Sequence, residues 1–232
     1  MLGGALARAK ASSQSHFESV AQFWATPFRK GHLTEKDKEL VALAVHASAS
    51  TLNAAGIQLY VKRAQNAGAS DAEIADVLVS ISPLGVHTFS VAIPALLTEL
   101  REKGGEAAVQ LPPMSDEARQ IKEEFVRERG YWTEQRELLA CLVPDFFKAY
   151  MALSYEPWRA GVLEPKTREF MYIAIDCAIT HMYETGLRIH IRNALKFGAT
   201  REEILEVFEI AAVLGASTYV AGMQAMSASP AQ

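Results

Sequence analysis

The chain has 232 residues, of which 50% are hydrophobic and 22% are charged, so it can bury a substantial core as one or two domains. A formal net charge of −4 gives no reason to expect nucleic acid or an anionic membrane as a partner. We also expect no membrane helix, because no apolar run approaches the roughly 20 residues that one needs. The N-terminal MLGGALARAKASSQ lacks the apolar core of a signal peptide, and only two cysteines are present, so we expect a cytoplasmic protein.

Hydrophobic periodicity predicts a succession of helices in the first half of the chain. Apolar residues recur at three- and four-residue spacing, and breaks fall at Gly68 and Pro83. Ser70 with Glu73 has the pattern of a capping box, which predicts a helix start. The predicted helices cover about 15–25, 35–50, 53–67, 70–81 and 86–103. Because no segment alternates with a period of two, we predict an all-α fold.

The second half of the chain repeats the first at a constant offset of 130 residues, without a gap across most of each repeat. Matching residues include Pro27 and Pro157, Glu39 and Glu169, Gly56 and Gly186, Gly68 and Gly198, and Glu73 and Glu203. Such self-similarity indicates one helical unit used twice. We predict repeats over 15–103 and 133–228, related by a pseudo-two-fold axis. The linker, 104–132, is predicted to contain one charged helix near 115–129.

The two repeats differ in their polar residues. The second repeat has a polar set that the first lacks: Asp176, His181, Tyr183, Glu184, Arg188 and His190 are matched by His46, Thr51, Asn53, Ala54, Gln58 and Tyr60. We therefore expect one working site in each chain, in the second repeat, and a first repeat that serves mainly as a scaffold.

His190 is the first candidate for a catalytic residue. It lies on the same side of its predicted helix as the apolar stripe, and an imidazole changes charge near neutral pH, as a general acid or base must. The alternative is a core histidine bonded to a backbone carbonyl or to Glu169. Glu169, one helix earlier, is either the partner of His190 or a structural residue, since the first repeat retains it as Glu39.

Further candidates lie near the start of the helix that carries His190. The predicted substrate-binding residues are His181, Tyr183, Glu184, Arg188 and Arg192. A guanidinium can bind a substrate carboxylate through two parallel hydrogen bonds, and Arg159 is a third arginine with this potential. His181, Glu184 and His190, with Asp176, could be imagined as metal ligands. They form no recognised ligand spacing such as HExxH, so we expect no metal.

Two stretches of the sequence resemble a known family. LEPKTREF, followed by IHIRNALKFGATREEILEVFEIAAVLG, resembles the carboxymuconolactone decarboxylase and AhpD-like family. LTEKDKELVALAV and GASDAEIADVLVSI resemble a second, diverged copy, and the similarity covers about 33–94 and 163–224. The resemblance implies a tandem protein of two AhpD-like helical repeats. It also implies a homo-oligomer, with two or three chains forming a pseudo-hexameric ring.

The resemblance also implies roles for individual residues. Family members that reduce hydroperoxides carry a CxxC one turn before the family histidine, and those positions are Tyr183 and Gly186 here. The family glutamate and histidine correspond to Glu169 and His190. We therefore predict a cofactor-independent decarboxylase or lyase that acts on a small carboxylated lactone or enol acid from aromatic catabolism.

Two other functions stay open at this point. One is hydroperoxide reduction of the AhpD type, for which Cys177 is the nearest thiol to the predicted site. The other is a non-catalytic helical protein for binding or scaffolding, since the first repeat has already lost the polar set.

Overall fold

A computed structural model describes residues 7, 10, 11 and 13–228, so most of the N-terminal segment discussed above lies outside the described residues. No strand occurs in the described part, which confirms the all-α prediction. The α-helices, numbered in chain order, are α1 (Gln14–Ala25), α2 (Glu35–Ala47), α3 (Ala54–Asn66), α4 (Asp71–Ile81), α5 (Thr88–Gly104), α6 (Asp116–Arg129), α7 (Glu134–Leu142), α8 (Pro144–Ala160), α9 (Pro165–Cys177), α10 (Glu184–Lys196), α11 (Arg201–Ala212) and α12 (Ala216–Ala228).

The helix boundaries follow local signals in the sequence. Thr200 and Glu203 form a capping box at the start of α11, in which each side chain bonds the other residue's backbone N–H. Ser70 and Glu73 exchange the same bonds at the start of α4. Pro165 occupies the first turn of α9, where no N–H is needed. After α10 the chain turns at Gly198, whose φ of 82° favours glycine.

The chain divides into two compact units. The first comprises the described parts of Met1–Ile81 and Val162–Gln232, and the second is Ser82–Gly161. This division differs from the predicted repeats over 15–103 and 133–228, whose limits stay a prediction.

Helices α2 and α9 form the centre of the first unit. Every residue from 38 to 46 and from 167 to 176 is buried, so both helices are enclosed on all sides. Leu40, Leu43, Phe170 and Ile173 have no exposed surface. This placement carries the polar residues of both helices into the core, where each must find a partner.

Within this unit, a carboxylate from the first repeat binds backbone and side chain of the second. Asp76 on α4 accepts hydrogen bonds from the backbone N–H groups of Val162 and Leu163, at 2.7 and 2.8 Å. Its two oxygens also accept from the guanidinium of Arg168, at 2.8 Å each. Burial alone would raise the pKa of Asp76, but Arg168 and the two N–H groups together lower it.

The second repeat makes the reciprocal contact. Glu206 on α11, 130 residues after Asp76, accepts from the backbone N–H groups of His32 and Leu33 at 3.1 and 3.4 Å. The Nζ of Lys38 lies 3.5 Å from the other oxygen of Glu206. The predicted tandem repeat thus appears as two crossed carboxylate contacts, as a pseudo-two-fold relation requires.

The second unit has its own aromatic core. Phe125 of α6 packs edge-on against Tyr131 and Trp132, with ring centroids 5.2 and 5.9 Å apart. The other buried residues of this core come from α5, α6, α7 and α8 and the turn before α5: Val86, Ile93, Ala118, Leu139, Ala140, Phe147, Met151 and Tyr155. The charged helix predicted near 115–129 is α6.

Two helical stretches, Asp71–Gly104 and Arg201–Met226, are long and apolar enough to cross a membrane by length and composition alone. By length and composition, these two stretches differ from the expectation that no apolar run is long enough for a membrane helix. In each, part of the most apolar 18-residue window is buried inside the protein, 33% and 44% respectively. Core helices of soluble proteins pass the same test, so the absence of a membrane partner stays a prediction.

Candidate functional site

Glu169 lies at the centre of a polar cluster inside the first unit. It is the fifth residue of α9, a helix buried on all sides, and its side chain has no exposed surface. One carboxylate oxygen lies 2.6 Å from Nδ1 of His190 on α10. The other accepts a hydrogen bond from Nδ2 of Asn193 at 3.1 Å. The pairing of Glu169 with His190 therefore exists, and it orients the imidazole.

Asp176 faces the other nitrogen of the same imidazole. Its Oδ2 lies 3.9 Å from Nε2 of His190, and its Oδ1 lies 3.7 Å from Nε2 of His181. The ring of Tyr172 packs against His190 with centroids 4.7 Å apart. His190 thus lies between two buried carboxylates, with 15% of its own side chain exposed.

The surroundings of Asp176 favour its protonated form up to near neutral pH. Burial raises the pKa of Asp176 from 3.8 to about 7, with His190 opposing the shift and Glu169 adding to it. Burial also lowers the pKa of His181. A carboxyl group that titrates near pH 7, beside an imidazole, is an arrangement suited to general acid–base chemistry.

The backbone between α9 and α10 permits this close arrangement. The N–H of Tyr183 donates to the carbonyl of Asp176 at 2.8 Å, which closes the turn just before α10. Gly186 follows on the first turn of α10, and a Cβ there would overlap Oδ2 of Asp176 and the ring of Tyr183. Glycine at 186 is therefore required by the approach of the carboxylate to α10.

In the first repeat, the equivalent glutamate has a different partner. Glu39, the counterpart of Glu169, accepts two hydrogen bonds from Arg63 at 2.7 and 2.5 Å. Arg63 also lies over the rings of Trp24 and Phe28, 5.2 and 5.0 Å from their centroids. This carboxylate is fully paired with a permanent cation, so it is not available for proton transfer.

Comparison with known proteins supports the tandem repeat. A sequence model of the carboxymuconolactone decarboxylase family matches residues 14–96 and 144–228, well over half of the chain. The chain belongs to the carboxymuconolactone decarboxylase family. This confirms the resemblance and its two copies. A search of curated proteins finds no match.

A solved structure is also similar to this family member. It is a proposed gamma-carboxymuconolactone decarboxylase subunit from Burkholderia xenovorans LB400, 40% identical in sequence, with a TM-score of 0.86. The similarity covers 94% of this chain and 87% of that one. The two proteins therefore share the tandem all-α architecture over nearly their whole lengths.

The remaining predicted site residues are placed in two groups. His181 lies beside Asp176, and Tyr183 packs edge-on against His181 with centroids 6.3 Å apart. By contrast, Glu184 and Arg188 form an ion pair with each other at 2.7 Å, with 73% of each side chain exposed. Arg192 is also exposed. In this chain, the two arginines of α10 thus lie at the surface rather than inside the buried cluster.

Arg159 and the cysteines belong to other surroundings. Arg159 lies on α8 in the second unit and pairs with Glu124 at 3.0 Å. Burial raises the pKa of Cys177 to about 11, and burial together with Glu137 raises that of Cys141. A thiolate is therefore disfavoured at neutral pH at both cysteines.

Sequence reasoning did not include Asp176 and Asn193 among the predicted site residues. Asp176 follows Glu169 by seven residues on α9, two turns along the same helix face, and the six residues between them are uncharged. Asn193 follows His190 by three residues, which places both on one side of α10. The combined signal was a pair of acids at helical spacing in an otherwise apolar run.

Proposed function

We propose that this family member is a cofactor-independent decarboxylase that acts on a small carboxylated lactone or enol acid. The observation that carries the proposal is the buried row of Glu169, His190 and Asp176, in a chain that belongs to the carboxymuconolactone decarboxylase family. The similar protein described as a gamma-carboxymuconolactone decarboxylase subunit supports the substrate class.

The reaction needs little more than a placed proton. When the carbon–carbon bond to the carboxylate breaks, carbon dioxide leaves and the bonding electrons remain on the ring. An unsaturated lactone delocalises these electrons as an enolate, which then takes a proton on carbon. The protein has to orient the carboxylate, stabilise the enolate and deliver that proton.

The cluster offers a residue for each part of the proton transfer. His190 delivers the proton from Nε2, the nitrogen that does not contact Glu169. Glu169 accepts from Nδ1, which fixes the orientation of the ring and stabilises its protonated form. Asp176, with its pKa near 7, exchanges a proton with Nε2 between turnovers. Asn193 holds Glu169 in place through its second oxygen.

Substrate orientation is proposed to involve Tyr183 and His181, at the start of α10 beside Asp176. Of the arginines, Arg188 and Arg192 lie on the exposed side of α10. We propose that the chain assembles as a homo-oligomer, which agrees with the description of the similar protein as a subunit.

The experiment that tests the proposal measures carbon dioxide release from gamma-carboxymuconolactone by the purified protein, beside His190→Ala. We expect turnover by the wild type and a loss of kcat of about 10²- to 10⁴-fold in the variant. A thermal-shift screen with related enol acids finds the best substrate if this lactone is poor, since a ligand that binds only the native state raises Tm.

Full turnover by His190→Ala on a substrate that the wild type decarboxylates would refute the assigned roles. A folded, assembled wild type that binds none of the acids would refute the function itself and favour a scaffold. Peroxide turnover that is lost on alkylation of Cys177 would instead identify a hydroperoxide reductase.

A further inference from the structure

A cavity of about 300 Å³ opens between helices of the first repeat and α12 of the second, beside the first-repeat counterparts of the His190 cluster. Its lining includes His46 and Tyr60, which precede Asp176 and His190 by 130 residues. Helices α1, α3 and α12 supply most of the remaining wall, and all of them belong to the first unit. The repeat expected to be a scaffold thus retains a cavity where its partner repeat has the polar cluster.

The lining of this cavity carries no formal charge. None of the residues that line it is Asp, Glu, Lys or Arg. Arg63, whose guanidinium lies over the rings of Trp24 and Phe28, is paired with Glu39. An anionic or a cationic group would lose its hydration here without gaining a counter-charge. The occupant must therefore be neutral.

His46 supplies a polar atom inside this apolar lining. Only 6% of its surface is exposed, and its Nδ1 has no hydrogen-bond partner among the described residues. Burial lowers its pKa to about 4, so the ring is neutral at physiological pH. A neutral imidazole has one donor and one acceptor nitrogen. Because Nδ1 is buried against Gly56, Nε2 is the nitrogen that can bond one hydroxyl or N–H group of a ligand.

Aromatic side chains form one end of the cavity. Nε1 of Trp24 donates to the hydroxyl of Tyr60 at 3.0 Å, which satisfies the indole N–H and fixes both rings. Phe28 packs behind them, 5.4 Å from Trp24 and 6.1 Å from Tyr60 between centroids. Trp24 and Tyr60, which both line the cavity, are thus positioned before any ligand enters, and aromatic ligands pack well against such faces.

We propose that the first repeat binds a neutral aromatic molecule of about two fused rings, with one hydrogen-bonding group directed to His46. An apolar cavity of about 150 Å³ is enough to bind benzene, so twice that volume suits a bicyclic ligand. This site is separate from the His190 cluster and does not depend on the decarboxylase proposal. The first repeat then contributes binding where the second contributes chemistry.

Isothermal titration calorimetry with 1-naphthol tests the proposal, and 1-naphthoate is the matched control with the same rings and a negative charge. We expect saturable binding of one naphthol per chain, and binding of naphthoate weaker by roughly tenfold or more. Ala21→Trp fills the cavity from α1, a helix with no buried residue, so the core is undisturbed. This variant should lose naphthol binding, whereas His190→Ala should keep it.

Three results would overturn the proposal. Equal affinity for naphthol and naphthoate would show that charge is not excluded. Undiminished naphthol binding in Ala21→Trp, confirmed as folded by circular dichroism, would place the ligand elsewhere, and Val20→Phe provides a second filling variant if Ala21→Trp fails to fold. Absence of naphthol binding to the wild type would overturn the proposal by itself, and a changed assembly state of Ala21→Trp in sedimentation would then assign the cavity to a contact between copies of the chain.

Discussion

Glu39 and Glu169 occupy the same position in two copies of one helical unit, yet their surroundings give them opposite chemistry. Glu39 is bonded by Arg63, a cation at every accessible pH, and that guanidinium lies over the ring of Phe28. Glu169 is bonded by His190 and Asn193, and the imidazole also faces Asp176. In the first repeat the charges cancel, whereas in the second a titratable ring lies between two acids. The two repeats therefore share the packing of one helical unit, whereas the chemistry of each depends on one or two partners of its buried glutamate.

The largest expected difference in kcat is between variants in which one or the other of the two glutamates is neutralised. We expect Glu169→Gln to lower kcat by about 10²- to 10⁴-fold, because the amide no longer stabilises the protonated form of His190. Glu39→Gln should leave kcat within about threefold of the wild type. Steady-state decarboxylation assays of the two variants, each checked for folding, make the comparison. Equal losses would show that Glu39 and Glu169 both act structurally.

Asp76 and Glu206, the two carboxylates that connect the repeats, are expected to contribute differently to the free energy of unfolding. Asp76 has two bonds from Arg168 and two backbone donors, and breaking such a buried pair costs about 3–5 kcal/mol. Glu206 has Lys38 only at 3.5 Å and longer backbone bonds. We expect Asp76→Asn to lower the free energy of unfolding by that amount and Glu206→Gln to cost clearly less. Urea denaturation measures both, and a larger loss in Glu206→Gln would contradict this ranking.

Asp176 and His46 are equivalent positions whose titrations should have opposite signs. The folded pKa of Asp176 is raised to about 7, so its stabilising share is present below pH 4 and is lost as the pH rises through 7. Asp176→Asn should therefore stabilise the protein above pH 7, by up to about 4 kcal/mol, and have little effect below pH 4. Conversely, the pKa of His46 is lowered to about 4, which destabilises the fold as the pH falls below 6.5.

His46→Gln is accordingly expected to stabilise the protein near pH 4, by up to about 3 kcal/mol, and to have no such benefit at pH 8. Thermal unfolding of both variants between pH 4 and pH 8 measures the two slopes against the wild type. Differences that both change in the same direction with pH would contradict the opposite titrations of Asp176 and His46.

Local rules allowed much of the fold to be predicted. The caps at Thr200 and Ser70, and the stop at Gly198, depend on neighbours in sequence, and the constant offset made the repeat visible. The contact between Glu169 and His190 was anticipated because the second lies on an inward helix face. Asp176 was not assigned a catalytic role, because helical spacing does not tell how deeply a face is buried.

Contacts between the two repeats escaped prediction. Asp76 and Arg168 are 92 residues apart in sequence and belong to different repeats, so no local pattern predicts their contact. The cavity of the first repeat was missed for a related reason. Its wall brings α1, α3 and α12 together, and a repeat that has lost its polar set looks like a scaffold in sequence alone.

The smallest effect is expected at Arg188, where the sequence and the structure suggest different roles. Its guanidinium pairs with Glu184 one helical turn earlier, and both side chains are largely exposed, so the pair contributes about 0.5 kcal/mol or less. We expect Arg188→Ala to leave stability nearly unchanged and to raise KM by no more than about threefold, a loss of less than 1 kcal/mol in substrate binding. Gln58, its counterpart in the first repeat, provides the matched control as Gln58→Ala.

A rise in KM of about tenfold or more for Arg188→Ala alone, with kcat unchanged, would mean that the guanidinium leaves Glu184 to bind the substrate carboxylate. Such a result would extend the chemical difference between the repeats from the buried acids to the surface of α10.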